Sequence, residues 1–154
     1  MSPLQKNARL TLVTAAVLAA LLSTGCSSMQ SAMNKMGLGG SKATSDLTGT
    51  QEVPPVSTNA SGKSTISVAS DKSVSGSVIT DAMTGTAAHI HQGAMGANGP
   101  VIIPLTKTSD KAFTVPANTK LTDAQYDAYR AGNLYVNVHS AAHPAGEIRV
   151  QMKP

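Results

Sequence analysis

The chain has 154 residues, of which 12 are lysine or arginine, 8 are aspartate or glutamate and 4 are histidine, giving a formal net charge of +4. Only 3% of the residues are aromatic and 13% are charged. The sequence has neither the basic runs nor the aromatic stacking surface that nucleic-acid binding requires, so a nucleic-acid partner is excluded. Its length suits one domain with its own core.

The first 25 residues are predicted to be a lipoprotein signal peptide. Lys6 and Arg9 precede the uncharged run 10–22, which is shorter than the roughly 20 residues of a membrane span. The run 22–26 (LSTGC) resembles a bacterial lipobox, in which the cysteine is lipidated and becomes the mature N-terminus. Ser23 departs from that pattern, since leucine is usual there. The alternative is an ordinary signal peptide with an incidental cysteine.

Lipidation of Cys26 would anchor the protein to a membrane of the cell envelope. Ser27 resembles the sorting pattern of outer-membrane lipoproteins, so we expect the outer membrane, facing the periplasm or the cell surface. Cys26 is the only cysteine, so no disulfide can form within the chain. Residues 26–45 are mostly small and polar and predict a flexible linker. Without residues 1–25 the chain keeps 10 basic and 8 acidic side chains, a net charge of +2.

Residues 46–152 show short runs of alternating apolar and polar residues separated by turn residues. Alternation with period two is typical of strands that have one buried face. We therefore predict an all-β fold, an antiparallel sandwich or barrel of seven or eight short strands. The strand candidates are 64–68, 74–78, 87–91, 101–103, 112–115, 134–139 and 147–152.

One short helix is predicted at about 123–131. Thr122 and Gln125 have the spacing of a capping box, and Leu121 and Tyr126 have the spacing of a hydrophobic staple. Gly132 is placed to end the helix.

Three histidines lie in two of the predicted strands. His89 and His91 are at positions i and i+2, so their side chains point to the same face, and His139 can join them if its strand lies alongside. Imidazole is a ligand for copper, zinc, iron and nickel. The sequence therefore predicts a metal site at His89, His91 and His139.

Alternation also predicts which face carries these histidines. If Ala88 and Ile90 point into the core, then His89 and His91 point outward, and the same pattern around Val136 and Val138 places His139 outward. Histidines on an outer face are either solvated or ligands, so we expect a cluster at the surface. His143, four residues after His139, and the thioether of Met95 are additional candidate ligands. The alternative for both is an ordinary turn or loop residue.

Several longer stretches resemble the CHRD domain, a module repeated in chordin and found singly in many bacterial secreted proteins. The shared blocks are AHIH (88–91), NGPV (98–101), GNLYVNVH (132–139) and PAGEIR (144–149), and the likeness extends over 46–152. The resemblance implies an immunoglobulin-like β-sandwich in an extracytoplasmic setting. It implies no particular activity.

Two functions follow from these observations. The first is a lipid-anchored envelope protein that binds copper or zinc through the histidines. The alternative is a non-catalytic module that binds protein or polysaccharide, with no metal and with a partner that the sequence does not identify. No nucleophile motif such as G-x-S-x-G is present, so we do not expect an enzyme.

Overall fold

The computed structural model describes residues 43–154, which form eleven β-strands, one short α-helix and one turn of 3₁₀-helix at Gly49–Gln51. The predicted signal peptide, the lipidation site Cys26 and most of the predicted linker lie outside the described residues. The strands are β1 (Ser45–Thr48), β2 (Ser61–Ser64), β3 (Ser67–Val68), β4 (Val74–Ser75), β5 (Ser77–Asp81), β6 (Gly85–Gln92), β7 (Val101–Pro104), β8 (Thr106–Ser109), β9 (Ala112–Thr114), β10 (Leu134–Ser140) and β11 (Ile148–Gln151), and the helix is α1 (Asp123–Arg130).

Nine of these strands form one antiparallel sheet in the order β7-β6-β10-β11-β1-β2-β5-β9-β8. The sheet curls so that its two edges approach each other. Where they meet, the Gly85 N–H of β6 donates a hydrogen bond of 2.8 Å to the carbonyl of Asp110, which lies between β8 and β9. The prediction of an all-β fold with one helix is confirmed, and the sheet has the form of a nearly closed barrel. Residues Lys42–Pro154 form a compact unit by themselves.

The strand count exceeds the prediction because two predicted strands are interrupted. The predicted strands 64–68 and 74–78 are each divided: β3 and β4 form a two-stranded sheet of their own, while β2 and β5 pair in the large sheet. The break between β4 and β5 occurs at Gly76, which has a φ of +119°, a conformation that favours glycine. Strands β1 and β8 are also additional: the predicted strands begin only at residue 64, and all four residues of β8 are exposed and show no apolar alternation.

Helix α1 has the predicted capping box. The Thr122 hydroxyl accepts from the Gln125 N–H at 3.2 Å, and the Gln125 side chain accepts from the Thr122 N–H at 2.9 Å. Gly132, with a φ of +73°, follows the helix end. Within residues 43–154, no helix is long and apolar enough to cross a membrane.

The apolar core lies inside the curled sheet, and β6 and β10 contribute its centre. The inward positions of both strands are fully buried, as alternation predicts. The buried side chains of these two strands on the core side are Ala88, Ile90, Leu134, Val136 and Val138. This alternation leaves the histidines of both strands on the opposite face.

We expect Phe113→Ala to destabilise the domain by about 3–5 kcal/mol, because Phe113 is fully buried and its loss leaves a cavity. The matched control is Ile79→Ala on the neighbouring strand, where the side chain is 61% exposed and the expected change is within about 0.5 kcal/mol. Urea unfolding of residues 42–154 gives both values. Equal effects of the two substitutions would contradict this account of the core.

Candidate metal centre

Strands β6 and β10 pair directly and bring the three predicted histidines together. In this antiparallel pair His89 lies opposite Asn137, and His139 lies opposite Ala87, one diagonal step from His89. Diagonal neighbours on one face of a sheet are within reach of long side chains. The register therefore confirms that the strand of His139 lies beside the strand of His89 and His91. One ligand atom from each of His89, His91 and His139 lies within 4.8 Å of the others.

Backbone carbonyls fix the tautomers of two of these rings. The Nδ1 of His91 is 2.9 Å from the Gly99 carbonyl oxygen, and the Nδ1 of His139 is 3.0 Å from the Pro144 carbonyl oxygen. Because a carbonyl oxygen only accepts, both Nδ1 atoms carry the hydrogen and both Nε2 atoms present a lone pair. Such a carbonyl contact is typical of metal-binding histidines, whose rings it orients.

The third ring completes the group. His89 Nδ1 is 3.0 Å from His139 Nε2, so the Nδ1–H of His89 donates to the lone pair of His139. His91 Nε2 is buried and has no hydrogen-bond partner among the described residues. Its lone pair is therefore not occupied by any donor of the described residues.

The expectation of a surface cluster is wrong for His91, whose side chain is only 8% exposed, whereas His89 and His139 are half-buried. The face opposite the apolar core is itself covered. Residues 93–100, which we call the cover loop, lie over it, as the contacts of Gly99 with His91 and Tyr135 show. Alternation correctly places the histidines away from the core, but it carries no information about this second layer.

Arg149 of β11 holds the cover loop in place. Its guanidinium donates to the Asn98 side-chain oxygen at 3.2 Å, to the carbonyls of Ala94 at 3.4 Å and Ala97 at 2.9 Å, and to Gln151 at 3.3 Å. The residue is 1% exposed. Burying a cation is costly unless hydrogen bonds compensate for the lost water, and here the loop supplies most of the acceptors.

A stack of three planar groups connects Arg149 to the histidines. The guanidinium carbon lies 3.4 Å from the centre of the Tyr135 ring, and the His91 ring is stacked on Tyr135 with centroids 4.7 Å apart and planes 8° apart. Arg149 comes from β11 and His91 from β6, on either side of β10. They therefore cover opposite faces of the Tyr135 ring and fix the orientation of the His91 imidazole.

Glu52 is a buried carboxyl group on the same side of the sheet. Burial raises its pKa, and the charge of Arg149 and a hydrogen bond from Asn137 partly oppose the shift. Its Oε1 atom and the Oδ1 atom of Asn137 are buried without hydrogen-bond partners among residues 43–154. The sequence patterns did not single out Glu52, because it lies in a turn-rich segment without alternation.

Burial also lowers the pKa of two histidines. For His89 the cause is desolvation, followed by the nearby charges that His139 and His91 acquire on protonation. For His139 desolvation dominates, and its hydrogen bond to Pro144 partly opposes it. Lowered pKa values favour neutral imidazoles, the form that binds metals.

The structure does not bring the two additional candidates into this cluster. His143 lies in the turn after β10, where its carbonyl accepts from the Gly146 N–H at 3.1 Å, and it is not one of the three converging histidines. Met95 is 80% exposed at the tip of the cover loop and lines a cleft beside Glu52 and Arg149. Among the described residues, the cluster therefore consists of three histidines.

We expect the metal-free domain to lose stability as the pH falls from about 7 to 5. The pKa of an unfolded histidine is about 6.5, and the folded values of His89 and His139 are lower, so the unfolded chain takes up more protons in this range. His89 and His139 contribute their full stabilisation of the folded state above about pH 7. This contribution is lost as the pH falls toward the pKa values of the two histidines in the folded protein. Urea unfolding with a chelator should show a smaller loss in His139→Gln. An unchanged pH dependence in His139→Gln would contradict the assignment of this loss of stability to the titration of His139.

Comparison with known proteins agrees with the predicted family. The sequence model of the CHRD domain matches residues 43–152, which is most of the chain and includes every strand and the helix described above. No curated protein and no solved structure matches the chain at a significant level. The chain therefore belongs to the CHRD domain family.

Proposed function

We propose that this protein is a lipid-anchored protein of the cell envelope that binds a transition metal, copper or zinc, through His89, His91 and His139. The observation that carries the proposal is the convergence of three imidazole nitrogens to within 4.8 Å of one another, two of them with lone pairs fixed by backbone carbonyls. Imidazole ligands suit both metals.

The spacing of the nitrogens supports a shared ion. Metal–nitrogen bonds of 2.0–2.1 Å in tetrahedral geometry place two ligand nitrogens about 3.3 Å apart. His89 Nδ1 and His139 Nε2 are already 3.0 Å apart, so an ion can lie between them once the His89 hydrogen moves from Nδ1 to Nε2, which keeps this imidazole neutral. The Nε2 of His91, which has no hydrogen-bond partner among residues 43–154, supplies the third ligand.

Three protein ligands leave a coordination position open. Closed structural zinc sites have four protein ligands, whereas three ligands and an open position are typical of sites where the ion meets another molecule. His89 and His139 are half-buried, so one side of the cluster remains accessible to solvent. This accessibility favours metal capture and transfer over a purely structural role.

Calorimetric titration of residues 42–154 with Zn²⁺, Cu²⁺ and, under anaerobic conditions, Cu⁺ tests the site. We expect a dissociation constant in the micromolar range or lower for copper or zinc. His89→Ala and His139→Ala should each weaken binding at least about a hundredfold, because each removes one of three ligands.

His143→Ala is the matched control for these variants, because it removes a histidine outside the cluster and should leave the affinity unchanged. A loss of affinity in this variant would make His143 a fourth ligand. If the wild-type domain bound none of the three ions, the metal-binding proposal would be wrong and an interaction module without metal would remain.

The lipid anchor rests on the lipobox-like run before Cys26 and is tested separately. We expect mass spectrometry of the protein from its host membrane to show acyl chains on Cys26 as the first residue, since a single unmodified cysteine gives no anchorage. Cys26→Ala should move the protein from the membrane fraction to the periplasmic or secreted fraction. Membrane retention of Cys26→Ala would contradict the proposal.

A further inference from the structure

We infer that the histidine cluster selects an ion of single positive charge, Cu⁺, over divalent ions, and that Arg149 produces this preference. The inference rests on the proposed metal site and assigns its cargo. Three features carry it: the ligands are all neutral, the site is partly buried, and a permanent cation lies behind one of the ligands.

The ligand set itself supplies no negative charge. His89, His91 and His139 bind as neutral imidazoles, and no carboxylate or thiolate of residues 43–154 belongs to the cluster. A divalent ion at such a site keeps its full charge of +2 in partly dehydrated surroundings, whereas a monovalent ion keeps only +1. Since the cost of placing charge in a poorly solvated site grows with that charge, neutral ligands favour the monovalent ion.

Arg149 adds a repulsion that depends on the charge of the ion. Its guanidinium and the His91 ring lie on opposite faces of Tyr135, so the spacings of 3.4 Å and 4.7 Å place the guanidinium roughly 8 Å from the imidazole. With an effective dielectric constant of about 20, each additional positive charge on an ion 8–10 Å away weakens binding roughly tenfold to thirtyfold. An arginine side chain keeps its charge at every relevant pH, so this repulsion is permanent.

When Glu52 is ionised, its negative charge attracts the bound ion and so opposes the repulsion from Arg149. Glu52 lines the same cleft as Arg149, and its carboxylate and the side-chain amide of Asn137, the residue paired with His89, both lie close to Gly146. The second buried glutamate of this face, Glu147, accepts a hydrogen bond from the Thr58 hydroxyl at 2.7 Å and belongs to the turn beyond. Removal of the Glu52 charge should therefore strengthen the preference that Arg149 imposes.

The experiment compares Cu⁺ with Zn²⁺, two ions with filled d shells, so that their difference in charge is not confounded by ligand-field effects. Dissociation constants for residues 42–154 are measured at pH 8 by competition with chelators of known affinity, anaerobically for Cu⁺. We expect wild-type protein to bind Cu⁺ at least about tenfold more tightly than Zn²⁺. Tighter binding of Zn²⁺ would overturn the inference and leave the metal site itself intact.

Three variants test the cause. Arg149→Gln should lower the ratio of the Zn²⁺ to the Cu⁺ dissociation constant roughly tenfold or more, whereas Arg149→Lys, which keeps the charge, should leave the ratio within about threefold of the wild-type value. Glu52→Gln, of nearly equal shape, should raise the ratio. An unchanged ratio in Arg149→Gln would overturn the assignment to Arg149.

Arg149→Gln removes the anchor of the cover loop, and circular dichroism shows whether it still folds. If it does not fold, Glu52→Gln decides the question, because a raised ratio supports the electrostatic cause and an unchanged or lowered ratio overturns it. Failure of wild-type protein to bind either ion is a different result, since it contradicts the metal site and not only its selectivity.

Discussion

The burial of Arg149 is the constraint on which the outer layer of this domain depends. A guanidinium that is 1% exposed must replace its water with acceptors, and the acceptors come from the carbonyls of Ala94 and Ala97 and the side chain of Asn98. Asn98 in turn donates to the Val53 carbonyl at 2.7 Å. One cation thus holds the cover loop and the segment around residue 53 against the sheet. Loss of any one partner leaves a buried charge short of hydrogen bonds, which costs more than the bond itself contributes.

The position of the cover loop decides the chemistry of the histidines. Gly99 fits only as glycine, because a Cβ atom there would lie 1.7 Å from the Gln92 carbonyl oxygen. At this close approach the Gly99 carbonyl accepts from His91 Nδ1, and the Gly99 N–H donates to the Tyr135 hydroxyl at 3.2 Å. The same loop therefore fixes the tautomer of His91 and the ring on which it stacks. If the loop moved, His91 would lose the hydrogen bond from its Nδ1–H to the Gly99 carbonyl. The ring, and with it the direction of the Nε2 lone pair, would then no longer be fixed.

Alternation in the sequence was sufficient to predict the strands β6 and β10, their buried side chains and the common face of His89 and His91. It was not sufficient for the outer layer, since the burial of His91 depends on contacts with a loop that has no periodicity. The division of the predicted strand 74–78 at Gly76 is a similar case, because one residue with a positive φ separates β4 from β5 although the alternation continues. The role of Glu52 depends on contacts with Asn137 and Arg149, which lie far from it in sequence.

The sheet has two covered faces of opposite character, and the unpartnered atoms are confined to one of them. Within residues 43–154, the buried side-chain atoms without hydrogen bonds are Glu52 Oε1, His91 Nε2 and Asn137 Oδ1. All three lie on the face of the histidines, and none lies in the apolar core. Stability alone would favour apolar side chains at these positions, because each unpartnered buried polar atom costs roughly 1–3 kcal/mol. Polar groups placed in this way beside three converging imidazoles are what the proposed metal site requires on the covered face, and what a layer built for stability alone would lack.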